Sequence, residues 1–148
     1  MTGSIEVREA VAADAAEVVR LLAQLGHSQP AGDPAARLAA FFDQGDHVLV
    51  AVQAPSAPGS SLVGALTLHI MPVMHRAGPI GRLTAVIVDE AARGKGVGRA
   101  LVAAAEVLLR ERGCAMIEIT SNKKRTDAHA FYEGLGYTAT SFRFAKQI

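Results

Sequence analysis

The feature that most constrains this 148-residue chain is an apolar strand, a glycine-rich turn and an amphipathic helix in direct succession. The strand pattern is Val86-Ile87-Val88, and the helix pattern runs from Gly98 to Arg112. Between them stand Gly94 and Gly96, which together with Gly98 let the backbone approach a ligand closely. Because the start of a helix presents unpaired N–H groups and the positive end of its dipole, this order predicts a pyrophosphate pocket.

The same turn carries three basic side chains, Arg93, Lys95 and Arg99, which add positive charge around the predicted pocket. Two familiar phosphate-binding patterns do not fit its spacing. A Walker loop would need glycine in place of Asp89, and a dinucleotide fingerprint would need it in place of Arg99 or Leu101. A turn that binds nothing would need one glycine rather than three alternating ones, since each costs backbone entropy. The turn therefore predicts a phosphorylated cofactor of another class.

A second motif follows downstream, Asn122 and then Ala128-His129-Ala130-Phe131-Tyr132-Glu133-Gly134-Leu135-Gly136-Tyr137. Together with Arg93-x-x-Gly96-x-Gly98 it resembles the acyl-CoA loop and the Phe-Tyr segment of the GNAT superfamily of N-acyltransferases. The resemblance covers residues 5 to 144. It implies acetyl-CoA as the co-substrate, bound by Val86, Ile87, Val88, Arg93, Gly94, Lys95, Gly96, Val97, Gly98, Arg99, Asn122 and Phe131.

Tyr132 is the predicted catalytic residue. Forming an amide from acetyl-CoA requires a proton for the departing thiolate, and a phenol of pKa about 10 is reasonably matched to a thiol of pKa about 8.5. The resemblance implies the same role, since Tyr132 matches the tyrosine of the family's Phe-Tyr pair. The structural alternative is an aromatic ring that only packs on the last helix.

The base that would deprotonate the amine is not fixed by the sequence. Some members of the family that the chain resembles carry a glutamate on the fourth strand, but that span is Arg82-Leu83-Thr84-Ala85 here. Glu118 on the fifth strand is the nearest acidic candidate, and a chain of waters is the alternative. His69 and His75 flank the segment between the third and fourth strands. The sequence does not decide whether these two histidines contact the substrate. Metal ligation would need three convergent ligands, and two histidines six positions apart do not supply them, so we expect no metal site.

The hydrophobic patterns predict one domain spanning residues 1–148. Strands are expected at 5–11, 47–52, 62–70, 82–88, 116–120 and 138–144, and helices at 14–25, 34–44, 98–112 and 126–135. The first long helix would be capped by Asp14. The order β-α-α-β-β-β-α-β-α-β is the one that the GNAT resemblance implies, an α/β fold with a mixed sheet covered by helices on both faces.

Composition excludes several other classes of function. A net charge of +1 argues against a nucleic-acid binder, because the basic residues are clustered locally and do not form a broad positive surface. The chain has no run of about 18 apolar residues that would cross a membrane, and its start does not read as a signal peptide. The single cysteine, Cys114, cannot form an internal disulfide, so we expect a cytoplasmic protein.

A narrower resemblance concerns the acceptor. Residues 120–132 and the run Phe142-Arg143-Phe144-Ala145-Lys146 resemble aminoalkylphosphonate N-acetyltransferases, and the basic loop Lys123-Lys124-Arg125 would suit an anionic amine. Those enzymes carry a carboxylate where this chain has Arg82.

We therefore predict an N-acetyltransferase that acts on a primary amine of a small molecule by direct transfer in a ternary complex. A CoA-binding sensor without turnover and a protein or peptide N-acetyltransferase are the alternatives. Dimers are common in the family, so the chain could form a homodimer, although the sequence identifies no interface.

Overall fold

The computed structural model describes residues 3–26, 31–57 and 60–148. The chain forms two compact units, one ending at Glu118 and the other comprising Ile119–Ile148. The strands are β1 Ile5–Glu9, β2 His47–Gln53, β3 Gly64–Met71, β4 Ile80–Val88 and β5 Met116–Ile119. The helices are α1 Ala15–Ala23, α2 Pro34–Asp43, α3 Val97–Glu111 and α4 Thr126–Gly134, with 3₁₀ turns at Ala12–Asp14 and Glu90–Ala92.

The five strands form one sheet in the order β1-β2-β3-β4-β5. The first four strands are antiparallel neighbours, so that Val50 lies opposite Ala65 and Ala65 opposite Ile87. β5 follows β4 through α3. The predicted α/β class with a mixed sheet is confirmed.

The register of β3 and β4 contains a β-bulge. Thr67 lies opposite Ala85 and the next residue, Leu68, lies opposite Leu83, so Thr84 is an extra residue on β4. Its hydroxyl Oγ1 lies 2.6 Å from Oγ1 of Thr67, which places Thr84 on the same face of the sheet as Thr67. The bulge therefore adds a polar side chain to that face.

The two faces of the sheet pack against different helices. A Cβ on Gly64 would lie 2.8 Å from Cγ1 of Val97, so the face of β3 that carries Gly64, Leu66 and Leu68 packs on α3. The opposite face packs on α1 and α2 through one apolar cluster, which includes Val18, Leu21, Leu38, Val48, Val50, Val52, Ala65 and Ile87. Helices therefore cover both faces, as the sequence predicts.

The predicted last strand at 138–144 does not form, and the prediction is wrong. In the described part of the chain, residues 137–148 contain neither helix nor strand. Phe142 and Phe144 are 90% and 93% exposed, although they alternate with polar residues as strand residues do. Alternation reports a local preference, whereas a strand also needs a neighbouring strand with which to exchange hydrogen bonds.

The prediction for Asp14 also needs correction. Asp14 was expected to cap α1, but its carboxylate accepts a hydrogen bond from the backbone N–H of Val11 at 2.8 Å. It also binds Arg8, at 2.7 Å from Nη1 and 3.0 Å from Nη2. The Asp14 side chain is fully buried, and the ion pair supplies the partners that a buried carboxylate requires. It therefore joins β1 to the start of α1.

Candidate active site

The glycine-rich turn joins β4 to α3, and its backbone needs glycine at two positions. Gly94 has φ 78° and Gly96 has φ 82°, both in the left-handed region that side chains with a Cβ disfavour. A Cβ added at either residue would meet no heavy atom of the described chain within 4 Å. Gly98 lies inside α3 and is helical. The backbone at 94 and 96 is therefore open to a ligand.

The start of α3 adds positive electrostatic potential to this turn. The first helical hydrogen bond runs from the N–H of Ala100 to the carbonyl of Gly96 at 3.1 Å, so the N–H groups of residues 97–99 precede it. Arg93, Lys95 and Arg99 are all exposed around the same turn. Free N–H groups, the helix dipole and three cations together are suited to bind an anion such as a diphosphate.

An ion-pair network holds the entry to the turn, and the sequence did not reveal it. Asp89 accepts a hydrogen bond from the N–H of Ala91 at 3.0 Å and binds Nη1 of Arg20 at 2.9 Å. Arg20 also binds Glu17 at 2.7 Å and the carbonyl of Leu62 at 3.1 Å. In sequence, Glu17 and Arg20 look like an ordinary surface pair on one helix, since their spacing alone gives no sign of Asp89.

The network shifts the titration of both carboxyl groups. The hydrogen bond from Arg20 lowers the pKa of Glu17. The N–H of Ala91 lowers the pKa of Asp89, and Arg20 lowers it further. A carboxyl group with a lowered pKa in the folded state stabilises the fold above the unfolded pKa of about 4 and loses that effect as the pH falls.

We expect Arg20→Met to lower the free energy of unfolding at pH 7 by about 1 kcal/mol, a modest figure because Arg20 is 40% exposed. The difference from the wild type should be smaller at pH 3, because protonation of the two carboxyl groups has begun there and weakens their pairing with Arg20. Urea unfolding at the two pH values measures this.

The matched control is Arg110→Met, which removes a solvent-exposed contact of 3.9 Å with Glu106. We expect it to change stability by less than about 0.5 kcal/mol at either pH. Equal effects of the two substitutions would contradict the role given to Arg20.

β4 continues beyond the strand beside it. The N–H of Ala115 donates to the carbonyl of Pro79 at 3.0 Å, and Glu118 forms an ion pair with Arg82. The four residues of β5 therefore run along the first half of β4. They end before Val86, Ile87 and Val88 are reached. Ile87 is buried and belongs to the core cluster, whereas Val86 and Val88 are half-buried.

In the second unit, α4 carries Phe131 and Tyr132, both half-buried. The ring of Tyr132 makes edge-to-face contacts with Phe131, at 5.2 Å between centroids, and with Tyr137, at 6.3 Å. Burial raises the pKa of Tyr132, and the nearby charge of Arg125 only partly offsets this. The phenol is therefore protonated at neutral pH, as a proton donor must be.

Asn122 has a local structural role. Its side-chain oxygen accepts a hydrogen bond from the N–H of Lys124 at 2.9 Å, which makes an Asx turn. Its carbonyl accepts hydrogen bonds from the N–H of Arg125 and from Nε2 of His129, both at 2.9 Å. This turn directly precedes α4. It uses the side-chain oxygen of the exposed Asn122, so the NH₂ group of that side chain can still donate a hydrogen bond to a ligand.

A row of four polar side chains crosses the sheet on the face opposite α3, and we call it the polar strip: Asp46, His69, Arg82 and Glu118. His69 lies opposite Arg82 in the β3–β4 register. Nδ1 of His69 contacts the carboxylate of Asp46. Nε and Nη2 of Arg82 lie 2.7 Å and 2.6 Å from Oε1 of Glu118. Glu118, the predicted acidic candidate for the base, is thus held in an ion pair.

The histidines do not form a metal site in the described part of the chain, where no group of three or more His, Cys, Asp or Glu side chains could hold an ion. His69 belongs to the polar strip, and His75 lies exposed in the segment between β3 and β4. His47 contacts Glu9 at 3.1 Å.

Comparison with known proteins assigns the chain to a family. The sequence pattern of the Acetyltransferase (GNAT) family matches residues 16–137, most of the chain. The chain belongs to the GNAT acetyltransferase family. The resemblance seen in the sequence is therefore confirmed.

Two curated GNAT relatives are named for small amines. The chain is 38% identical over 87 residues to the aminoalkylphosphonate N-acetyltransferase of Salmonella typhimurium, covering 59% of this chain and 56% of that protein. It is 35% identical over 83 residues to the glucosamine 6-phosphate N-acetyltransferase of Trypanosoma brucei brucei, covering 55% and 54%. The chain thus matches just over half the length of each relative.

A solved structure of a Trypanosoma brucei acetyltransferase has the same GNAT fold, with a TM-score of 0.83 and 27% identity over 98% of this chain and all of that one. Among the helices that the structure describes, none has both the length and the apolar character needed to span a membrane.

Proposed function

We propose that this GNAT chain is an acetyl-CoA-dependent N-acetyltransferase that transfers the acetyl group to a primary amine of a small molecule. The open backbone at Gly94 and Gly96, at the start of α3 and among three exposed cations, is the observation that carries the proposal. A diphosphate satisfies the N–H groups that such a turn leaves without helical partners. Family membership supports the transfer chemistry.

Each part of the coenzyme has residues suited to it. Residues 93–99 would bind the diphosphate through main-chain N–H groups, with Arg93, Lys95 and Arg99 nearby. The backbone of Val86–Val88, beyond the end of β5, would bind the amide groups of the pantetheine arm. Asn122 is a proposed contact of the same arm and Phe131 a proposed contact of the coenzyme, and their support is the family resemblance.

The acetyl group is proposed to move directly from sulfur to nitrogen in a ternary complex. The amine nitrogen forms a bond to the thioester carbon and loses a proton, the C–S bond breaks, and Tyr132 gives its phenolic proton to the sulfur. A covalent acyl-cysteine would need a reactive thiolate, and Cys114 is the only cysteine of the chain. Burial raises the pKa of the Cys114 thiol, which disfavours that route.

The acceptor is proposed to be a small amine because the two curated relatives are named for an aminoalkylphosphonate and for glucosamine 6-phosphate. Thiol release from acetyl-CoA, measured across primary amines with and without a phosphonate or phosphate group, tests this. We expect turnover on at least one small amine. Tight acetyl-CoA binding without turnover on any amine would support the sensor instead, and turnover on peptides alone would support a protein acetyltransferase.

We propose that the protein is cytoplasmic and that it forms a homodimer. The support for the homodimer is the tail at 138–148, which is neither helix nor strand and in which Phe142, Phe144 and Ile148 are all strongly exposed. Three large apolar side chains so close together favour an interface, and β5 is an edge strand that a second copy could pair with.

We expect light scattering to give the mass of two chains for the wild type and of one chain for the double variant Phe142→Ser and Phe144→Ser. Val107→Ser, which removes one exposed apolar side chain from α3, should leave the dimer intact. A wild-type mass of one chain at every concentration would reject the homodimer.

A further inference from the structure

The polar strip lies on a face of the sheet that is only partly covered. Gly64 packs on α3, and β3 side chains alternate, so His69 lies on the opposite face with Thr67. Towards the start of β4 that face carries Thr84 and Arg82, both at least partly exposed, in place of apolar residues. An amine acceptor is a polar molecule, and this part of the sheet offers it polar partners.

Asp46 fixes the orientation and the tautomer of His69. A carboxylate can only accept hydrogen bonds, so Nδ1 of His69 carries the hydrogen that points to Asp46. In the neutral ring, Nε2 then carries the lone pair. The Asp46 side chain is 11% exposed and the His69 side chain 44%, so a largely covered carboxylate holds a histidine whose ring reaches solvent. This is the arrangement of a base held by an orienting acid.

The other polar side chains in this part of the sheet are less suited to accept a proton. Glu118 is held by two nitrogens of Arg82 within 2.7 Å, so its Oε1 already accepts from the guanidinium and is not directed at a substrate. Thr67 and Thr84 are occupied with each other at 2.6 Å. His47 belongs to the adjacent position on β2 and pairs with Glu9.

We propose that His69, oriented by Asp46, is the general base for the acceptor amine, and that the acceptor binds against the polar strip. The inference rests on the proposed acetyltransferase function. As the C–N bond forms, the lone pair of Nε2 takes the N–H proton and the N–H electron pair stays on nitrogen. The electron pair of the breaking C–S bond takes the proton of Tyr132. The imidazolium and the phenolate then exchange protons with solvent.

Among the described residues, the charges that the contacts and the register place beside His69 are those of Asp46 and Arg82, and Glu118 follows through its ion pair with Arg82. Asp46 contacts the ring nitrogen opposite the one that takes the proton, and the opposite charges of Arg82 and Glu118 largely cancel each other. Asp46 is therefore a positioning residue, which acts through His69 and not on the substrate.

The test uses the wild-type chain and the most active amine from the acceptor panel. We expect His69→Gln to lower kcat by about a hundredfold and to abolish the acidic limb of the kcat profile against pH, because no imidazole is left to lose its proton. Acetyl-CoA affinity, measured by calorimetry, should stay within twofold. Asp46→Asn should lower kcat less, by about tenfold, and Asp46→Glu should restore part of the loss.

The controls separate this inference from the proposed function. His47→Gln, which removes a histidine paired with Glu9, should leave kcat and its acidic limb unchanged. Glu118→Gln should keep the acidic limb. An unchanged acidic limb in His69→Gln, or its loss in Glu118→Gln, would overturn the assignment while the enzyme remains an acetyltransferase. Failure of the proposed function itself would appear in the wild type as no turnover on any amine.

Discussion

Replacing Tyr132 with phenylalanine is expected to lower kcat by about a hundredfold or more while acetyl-CoA affinity stays within twofold. The change removes one hydroxyl and keeps the ring that contacts Phe131 at 5.2 Å and Tyr137 at 6.3 Å. A donor to the departing sulfur acts in the transition state, so its loss appears in kcat and not in binding. Single-turnover mixing of enzyme, acetyl-CoA and amine measures the chemical step itself.

The raised pKa of Tyr132 adds a pH test of the same role. A proton donor is lost when it ionises, so Tyr132 should impose no fall in kcat until the pH exceeds about 10, its ordinary pKa. Tyr137→Phe is the matched control, since it deletes a buried hydroxyl from the adjacent ring. We expect that control to alter the melting temperature at most. A Tyr132→Phe variant with a wild-type single-turnover rate would remove Tyr132 from the mechanism.

Gly96→Val is expected to weaken acetyl-CoA binding by about a hundredfold, which corresponds to about 2.7 kcal/mol. Gly96 has φ 82°, and a β-branched residue there is forced either to strain the backbone or to change it. A changed backbone would turn the N–H groups of residues 97–99 away from the diphosphate. Calorimetry with acetyl-CoA measures the loss.

Gly113→Val is the control for strain alone. Gly113 has φ 75° and an equally open surrounding, and it lies beyond the other end of α3. A similar loss of stability is expected for both variants, but a loss of acetyl-CoA affinity for Gly96→Val only. Equal acetyl-CoA affinity in the two variants would refute the diphosphate assignment.

The glycine turn could be predicted because its determinants are local. The turn depends on a strand, two positive-φ glycines and a helix start, all within about fifteen residues, and these local preferences agree with one another. The structure forms all three where the sequence places them. The predicted start of the helix was one residue late, since α3 begins at Val97.

The polar strip could not be predicted because its members meet only through the sheet. His69 and Asp46 are 23 positions apart, and their contact depends on the pairing of β2 with β3. The sequence placed His69 beside the segment between the third and fourth strands and identified Glu118 as an acidic candidate, but it gave no sign that Arg82 would bind Glu118. Charge alone does not show which strand positions become neighbours.

The tail at 138–144 shows the opposite error. Its alternating Phe142 and Phe144 satisfy every local criterion for a strand, yet the described chain gives these rings no cover. Asp14 is a similar case. An acidic residue before a helix matches the pattern of a helix cap, but the Asp14 carboxylate forms an ion pair with Arg8 instead. In both, long-range packing decides what the local pattern leaves undetermined.

The extra residue in β4 has a consequence for how this sheet could change. Leu83 and Ala85 already face opposite sides, so deleting Thr84 would give a regular ladder with every core side chain on its present side. Burial alone therefore does not require Thr84. A strand without Thr84 would keep the interior as it is and would lose only the hydroxyl that Thr84 places beside Thr67.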